Sequence, residues 1–233
     1  RMGSFVSKFY DSETDLILNP FDSRSVSWNV FDDVLDAASF TQIAEVMIPE
    51  KSGATTDPFW QQSARIVFDY AARSLHKRGN ATISELVKYV LDLPAEELSD
   101  LIKSTPGRHF FSEGIEKTSQ SIRANLIAEL RFLEFLRDDG ERFSIRDWVA
   151  SDEPSILFLT GDAEHAAATR NIISAVLEIS ANAYMSRGPS SEPRCYVFMD
   201  EVPSINLLTF LVSSLAELRQ FRVCYIIGYQ LYT

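Results

Sequence analysis

The residues with the clearest capacity for chemistry are two adjacent acids. Cys195-Tyr-Val-Phe-Met-Asp200-Glu201 reads as an apolar β run ending in paired carboxylates, and a second run, Val223 to Tyr229, ends at Gln230. A strand buried on both faces can hold two acids rigidly at its C-terminal edge, where open α/β sheets bind ligands. Asp200 would then reach the shell of a magnesium ion, and Glu201 would orient a water for attack on a γ-phosphate. A strand that merely ends in solvated acids has the same pattern. Gln230 at the end of the next strand is what favours the nucleotide.

The phosphate-binding half of such a site is missing. A P-loop reads G-x-x-x-x-G-K-[ST], because backbone N–H groups and a lysine must cradle the β- and γ-phosphates. Gly3, Gly53, Gly79, Gly107, Gly114, Gly140, Gly161, Gly188 and Gly228 stand apart, and none opens that pattern. Either the chain is not an NTPase or it is a piece of one, cut downstream of its phosphate loop. A first residue other than Met and an end directly after a strand, at Tyr229 to Thr233, favour the piece.

Composition narrows the classes. With 233 residues, 45% hydrophobic and 12% aromatic, the chain can bury one large core or two smaller ones. No apolar run is long enough to span a bilayer and the N-terminus has no secretion-signal pattern. Cys195 and Cys224 each sit in an apolar run, where buried free thiols are expected, and His76, His109 and His165 lack metal-ligand spacing. A net charge of −11 argues against a surface that coats DNA. The charge is uneven, with 13 Lys+Arg against 14 Asp+Glu between Pro58 and Asp147 and 9 against 19 elsewhere. Contact with nucleic acid through a few loops stays compatible with this balance.

These motifs need elements to carry them. Leu16-Ile-Leu-Asn19 before Pro20 predicts a short buried strand, and Asp22-Ser-Arg24-Ser25 a turn. Helical spacing follows: Phe40, Ile43, Ala44 and Met47; then an Asp57 cap with Pro58 ahead of Ile66, Val67, Tyr70 and Ala71; then Thr82 with Glu85 as a capping box. Pro94 with Glu96 and Glu97 opens another helix. The longest is expected over about 115–137, with Ile122, Leu126, Leu130 and Leu133 on one face. After a short helix at Phe143-Ser-Ile-Arg-Asp-Trp148, the β signal returns at Ser155–Thr160, followed by a helix from His165 to Ser186. The order is that of an α/β domain with a helical domain inserted in it.

Five blocks stand out in order: Leu16-Ile-Leu-Asn-Pro20 with Asp22-Ser-Arg24; Asp57-Pro-Phe-Trp60-Gln61; Ile115-Glu-Lys-Thr118 through Ser121-Ile-Arg123; Phe143 to Trp148; and Phe198-Met-Asp-Glu-Val-Pro203 through Arg219 to Gly228-Tyr-Gln230. Together they resemble the type IV coupling proteins, the hexameric ATPases of conjugative DNA transfer, and within them the TraD-like group of F-type plasmids. The resemblance implies a RecA-like P-loop ATPase sheet, here partial and lacking its P-loop, with an inserted all-α domain. The expected parts are 1–35 and 148–233 for the nucleotide-binding domain and 36–147 for the insert. It also implies ATP and Mg2+ as cofactors, a Walker B pair at Asp200 and Glu201, a γ-phosphate-sensing Gln230, and a trans-acting arginine at Arg219. Arg222 is a rival for that last role, and Gln220 replaces the family's usual basic residue. Single-stranded DNA, relaxosome proteins and the components of a type IV secretion channel are the implied partners. The full-length protein is expected as a homo-hexamer at the cytoplasmic face of the bacterial inner membrane, anchored by segments outside this chain, with this piece alone unable to hydrolyse ATP.

Two other functions fit the sequence. The helical block could serve as a recognition module for relaxosome or effector proteins, without catalysis of its own. Another RecA-like DNA translocase would share the acid pair and glutamine but is not expected to carry the Asp57 and Phe143 blocks. Phe59 and Trp60 are expected in the core and Trp28 and Trp148 at a domain junction. Lys117, Arg123 and Arg131 alternate with Glu116, Glu129 and Glu134, the pattern of a solvated face.

Overall fold

A computed structural model describes residues 2–49, 57–161, 164–189, 194–199 and 217–228. It divides into two compact units, one of Arg1–Ser25 with Ile145–Thr233 and one of Val26–Ser144.

The first unit is mixed α/β. Strand β1 (Leu16–Leu18) pairs in parallel with β4 (Leu157–Leu159), and β5 (Cys195–Met199) pairs in parallel with β6 (Val223–Ile227) along its whole length. A buried acid sets the start of the first pair: Asp15 accepts the Ile156 N–H at 2.8 Å and the Asp11 N–H at 3.0 Å, and the Leu16 N–H donates to the Ile156 carbonyl at 2.8 Å. Helix α1 (Met2–Phe9) contributes Val6 to a cluster with Ile17 and Phe158. The long crossover helix α8 (Ala166–Ser186) packs Leu177 and Ile173 against Met199, Val197 and Tyr225. Its C-terminal end is tied to the short helix α7 (Ile145–Ala150), because Arg187 donates to the Val149 carbonyl and to Asp152.

The β5–β6 ribbon is not buried on both faces as the sequence suggests. Paired residues share a face in parallel strands. Tyr196 lies beside Cys224 and Phe198 beside Ile226, and this face is open, with Phe198 69% exposed. Val197, Met199 and Tyr225 form the face covered by α8. Cys224 is therefore exposed, in contrast to the expected buried thiol, while Cys195 is half-buried.

The second unit is predominantly helical. Helix α2 (Ala37–Met47) starts from a reciprocal Asp36–Ser39 capping box. Helix α3 (Pro58–Arg78) starts at the predicted Asp57 cap and ends at Gly79, whose φ of 78° supplies the left-handed closing turn. Ala64, Val67, Phe68, Ala71 and Leu75 make its fully buried stripe. Thr82 caps α4 (Ile83–Val87) by accepting the Glu85 N–H at 3.2 Å. A π turn (Lys88–Asp92) and α5 (Ala95–Ile102) follow. Arg123 on α6 (Glu116–Leu130) donates to the Leu91 carbonyl at 3.2 Å and to that of Leu93, satisfying backbone groups where the π turn ends.

Three expectations change here. Helix α6 stops at Leu130 and continues as a 3-10 segment, Arg131–Phe135, so α3 and α8, each 21 residues, are the longest of the described helices. The tighter winding of that segment accompanies burial of both Phe132 and Leu133. The compact unit also begins ten residues before the expected Asp36: β2 (Ser27–Trp28) pairs with β3 (Arg142–Phe143), and Trp28 donates to the fully buried Asp33 at 2.8 Å. Asp33 also accepts from the Ser144 hydroxyl at 3.0 Å. Finally, Phe59 is 43% exposed and meets half-buried Trp60 edge-on, so the expected core pair lies partly on the surface.

Candidate functional site

Parallel pairing brings β1 and β4 out of their pair at one end, and β5 and β6 out of theirs at one end, and the loop after β1 is held by side chains. Asn19 organises the end of β1: its Oδ1 accepts the Phe21 N–H at 3.1 Å, its own N–H donates to Ser25 Oγ, and its Nδ2 donates to Thr160 at the end of β4. Gly161 follows Thr160. A Cβ at Gly161 would lie 2.6 Å from Thr169 Oγ1, so glycine is what lets the first turns of α8 close on the end of β4. His165, at the N-cap of α8, stacks on Phe21 with ring centroids 3.8 Å apart and planes at 19°. No pattern of types or spacing marks that stack in the sequence, since its two rings come from loops far apart along the chain.

In the turn after β1, Asp22 and Arg24 form a two-pronged ion pair at 3.0 and 2.7 Å. The Arg24 guanidinium holds the Asp22 carboxyl below the usual carboxylate range. Arg24 also lies over the Tyr10 ring at 5.5 Å. This motif is locally satisfied, a scaffold for the loop.

The acid-bearing strand ends at Met199, which is buried against Leu177. The Gly228 N–H donates to the Met199 carbonyl at 2.6 Å, one step beyond the Met199–Ile227 register pair. The backbones leading towards Asp200 and towards Gln230 thus depart side by side from one edge. Asp200, Glu201 and Gln230 themselves lie outside the described residues.

Arg219 is described, and it sits elsewhere. It opens a 3-10 turn, Arg219–Phe221, and is exposed. That turn precedes Val223 at the N-terminal end of β6, while Gly228 follows its C-terminal end. Four steps of strand, at about 3.3 Å each, put about 13 Å between the Cα atoms of Val223 and Ile227. Arg219 and the edge at Met199–Gly228 lie at opposite ends of the ribbon. Arg222 closes the turn in a left-handed conformation, φ 61° and ψ 35°.

Burial perturbs three titratable groups on or beside the ribbon. Burial pushes the Cys195 thiol up, and burial also raises the Tyr184 hydroxyl and brings that of Tyr225 up to about 12. Among the described residues no group of His, Cys, Asp and Glu could hold a metal ion, and no helix is long and apolar enough to cross a membrane. Two buried polar atoms on α8, Arg170 Nε and Ser174 Oγ, have no hydrogen-bond partner. Arg170 lies one residue beyond Thr169, the residue that packs against Gly161 at the end of β4.

Comparison with known proteins brings these features together. Residues 1–233 match the family described as the type IV secretion-system coupling protein DNA-binding domain. Coupling protein TraD of Escherichia coli K12 is 36% identical over 239 residues, covering 100% of this chain and 33% of TraD. The plasmid coupling protein TrwB, solved in complex with ADP and Mg2+, superposes with a TM-score of 0.84 at 26% identity, over 98% of this chain and 55% of the TrwB chain. TrwB in complex with the non-hydrolysable ATP analogue ADPNP gives the same values. The chain thus spans a third of the curated relative and about half of the solved one.

Proposed function

The chain belongs to the type IV secretion-system coupling protein family, with the mixed α/β and helical architecture of TrwB, and from that premise we propose that it forms the acid-bearing part of an ATP-driven motor for conjugative DNA transfer. The observation that carries the reading is the β5–β6 pair. Its hydrogen bond from Gly228 to Met199 closes one edge immediately before Asp200 and two residues before Gln230.

In this reading ATP is the nucleotide hydrolysed, and Mg2+, when bound, would supply charge neutralisation at its phosphates. Asp200 holds the metal shell. Glu201 orients the attacking water and takes its proton, and Gln230 reports the γ-phosphate from the neighbouring strand. The phosphate loop that completes the site is not found in this sequence, so the site needs further polypeptide. Arg219, at the far end of β6, cannot serve the same edge. It suits a neighbouring copy's nucleotide, where its planar fork meets the charge that spreads over the transferring phosphoryl group. The reading takes the full-length protein to be a ring of copies, a homo-hexamer, as the resemblance implies. Single-stranded DNA with relaxosome proteins is the proposed cargo, delivered to the type IV secretion channel at the cytoplasmic face of the inner membrane through anchoring segments outside this chain.

The test is DNA-stimulated ATP turnover by the full-length coupling protein that carries this segment, compared with its Glu201→Gln form. Turnover by the parent and loss of at least about a hundredfold in the variant, with nucleotide binding retained, supports the reading. Undiminished turnover in Glu201→Gln refutes it.

A further inference from the structure

Helix α8 carries two polar atoms that the fold buries and leaves without a hydrogen-bond partner, Arg170 Nε and Ser174 Oγ. They lie one turn apart, and with Leu177 they follow the i, i+4, i+7 spacing of one helix stripe. That stripe meets the strands: Leu177 packs against Met199, the last residue of β5, and Leu159, the last residue of β4, joins the same cluster. Seven residues at about 1.5 Å each set Arg170 about 10 Å from Leu177 along α8, towards its N-terminal end. Thr169, the neighbour of Arg170, meets Gly161, which lies past the end of β4, so the first turns of α8 extend beyond the strand ends. Helical side chains lean towards the helix N-terminus, and this carries the Arg170 guanidinium further the same way. It stands past the edge from which the chain continues from Met199 to Asp200.

A buried donor of a charged group with nothing to donate to costs free energy, and in a folded protein such an exception calls for an acceptor that arrives from outside. The stripe offers two donors, one of them on a permanent cation, so the missing acceptor is an anionic oxygen. The planar fork of arginine matches the oxygens of a phosphate group better than a point charge does. We propose that Arg170 binds a phosphate oxygen of the nucleotide at the edge where β5 ends. The proposal rests on the reading of that edge as an ATP site. It gives this chain a phosphate contact in its own subunit, distinct from Arg219, whose turn lies at the opposite end of β6. Nucleotide binding then supplies the partner that Arg170 Nε lacks, so the group stabilises the loaded protein and not the empty one.

The experiment uses the full-length coupling protein that carries this segment, with Arg170→Met and Arg170→Lys, and measures the Kd for ADPNP and the thermal midpoint with and without ADPNP. Arg170→Met should weaken ADPNP binding by about tenfold or more, the worth of a charged hydrogen bond, and should show a smaller rise in midpoint at the same ADPNP concentration. Its nucleotide-free midpoint should equal or exceed that of the parent, because methionine keeps the packing of the apolar stem and removes the unpartnered donor. Arg170→Lys keeps the charge without the fork, so its affinity should fall between those of the parent and Arg170→Met. An unchanged Kd in Arg170→Met overturns the proposal. A nucleotide-free midpoint lowered in both variants overturns it as well, by showing that the protein itself holds the guanidinium. A parent that does not bind ADPNP removes the reading of the edge as an ATP site, a result distinct from a parent and an Arg170→Met variant that bind it equally.

Discussion

Replacing Gly161 by Ala tests whether the first turns of α8 close on the end of β4 as tightly as the structure indicates. The added Cβ would lie 2.6 Å from Thr169 Oγ1, 3.0 Å from its Cβ and 3.2 Å from its Cγ2. Thr169 cannot turn away freely, because it is buried and its hydroxyl donates to the His165 carbonyl at 3.1 Å. Either α8 moves outward by several tenths of an ångström or the strand end does. Overpacking of this kind costs about 1–3 kcal/mol. The gain from a stiffer unfolded chain at a backbone that Ala can adopt offsets about 0.4–1 kcal/mol. The expected net destabilisation is about 1–2 kcal/mol. Urea unfolding combined with amide exchange should place the loss in β4 and α8 and leave α3 unchanged, since α3 belongs to the other compact unit. Thr169→Ala removes two of the three clashing atoms, so Gly161→Ala with Thr169→Ala should be less destabilised than the sum of the single variants by about 1 kcal/mol. Additive single effects, or a Gly161→Ala protein as stable as the parent, would refute the close approach.

Two further outcomes follow from the electrostatics. Because Arg24 depresses the folded-state pKa of Asp22, the pair contributes stability above the unfolded carboxylate pKa and loses it as pH falls through the folded one. Asp22→Asn should therefore be slightly less stable than the parent at pH 7, with a difference that shrinks in high salt and vanishes in strong acid; a difference that persists in acid would contradict the sign. Maleimide labelling at pH 7 should modify exposed Cys224 quickly and Cys195 only on unfolding, because burial keeps the Cys195 thiol protonated. Equal labelling rates under native conditions would contradict the assignment of the two faces of the β5–β6 ribbon.

The elements that sequence reading located are those whose signals are local. Asp57 with Pro58 announces α3 because the cap and the first-turn proline act on neighbouring backbone groups, and Leu16 to Asn19 announces β1 because Asn19 bonds the turn that ends it. What was misread depends on partners distant in the chain. The helical unit begins at Val26 because two-residue strands pair across more than a hundred positions, a signal too short for any periodicity to register. The 3.6-residue spacing runs on past Leu130, yet Phe132 and Leu133 both turn inward, which the 3-10 winding allows. Alternation tells which residues of β5 and β6 share a face but not which face is covered, and so cannot place Cys224 on the open one.

The candidate site shows the same division. Adjacent acids are visible as residue types, and the register pair at Met199 and Ile227 with the Gly228 bond is what sets the departing backbones side by side. Arg219 and Gln230 belong to one short stretch of sequence, yet the extended β6 between them carries the arginine's turn to the opposite end of the ribbon, beyond the reach of a side chain back to the Gly228 edge. If Gln230 serves a nucleotide bound at its own edge, the role proposed for Arg219 is at one bound by another copy. Each site in the proposed motor then draws on two chains, and hydrolysis in one subunit becomes sensitive to the position of the next. Under the proposed reading that coupling would link neighbouring copies around the DNA, and its structural basis would be the direction and length of one parallel strand.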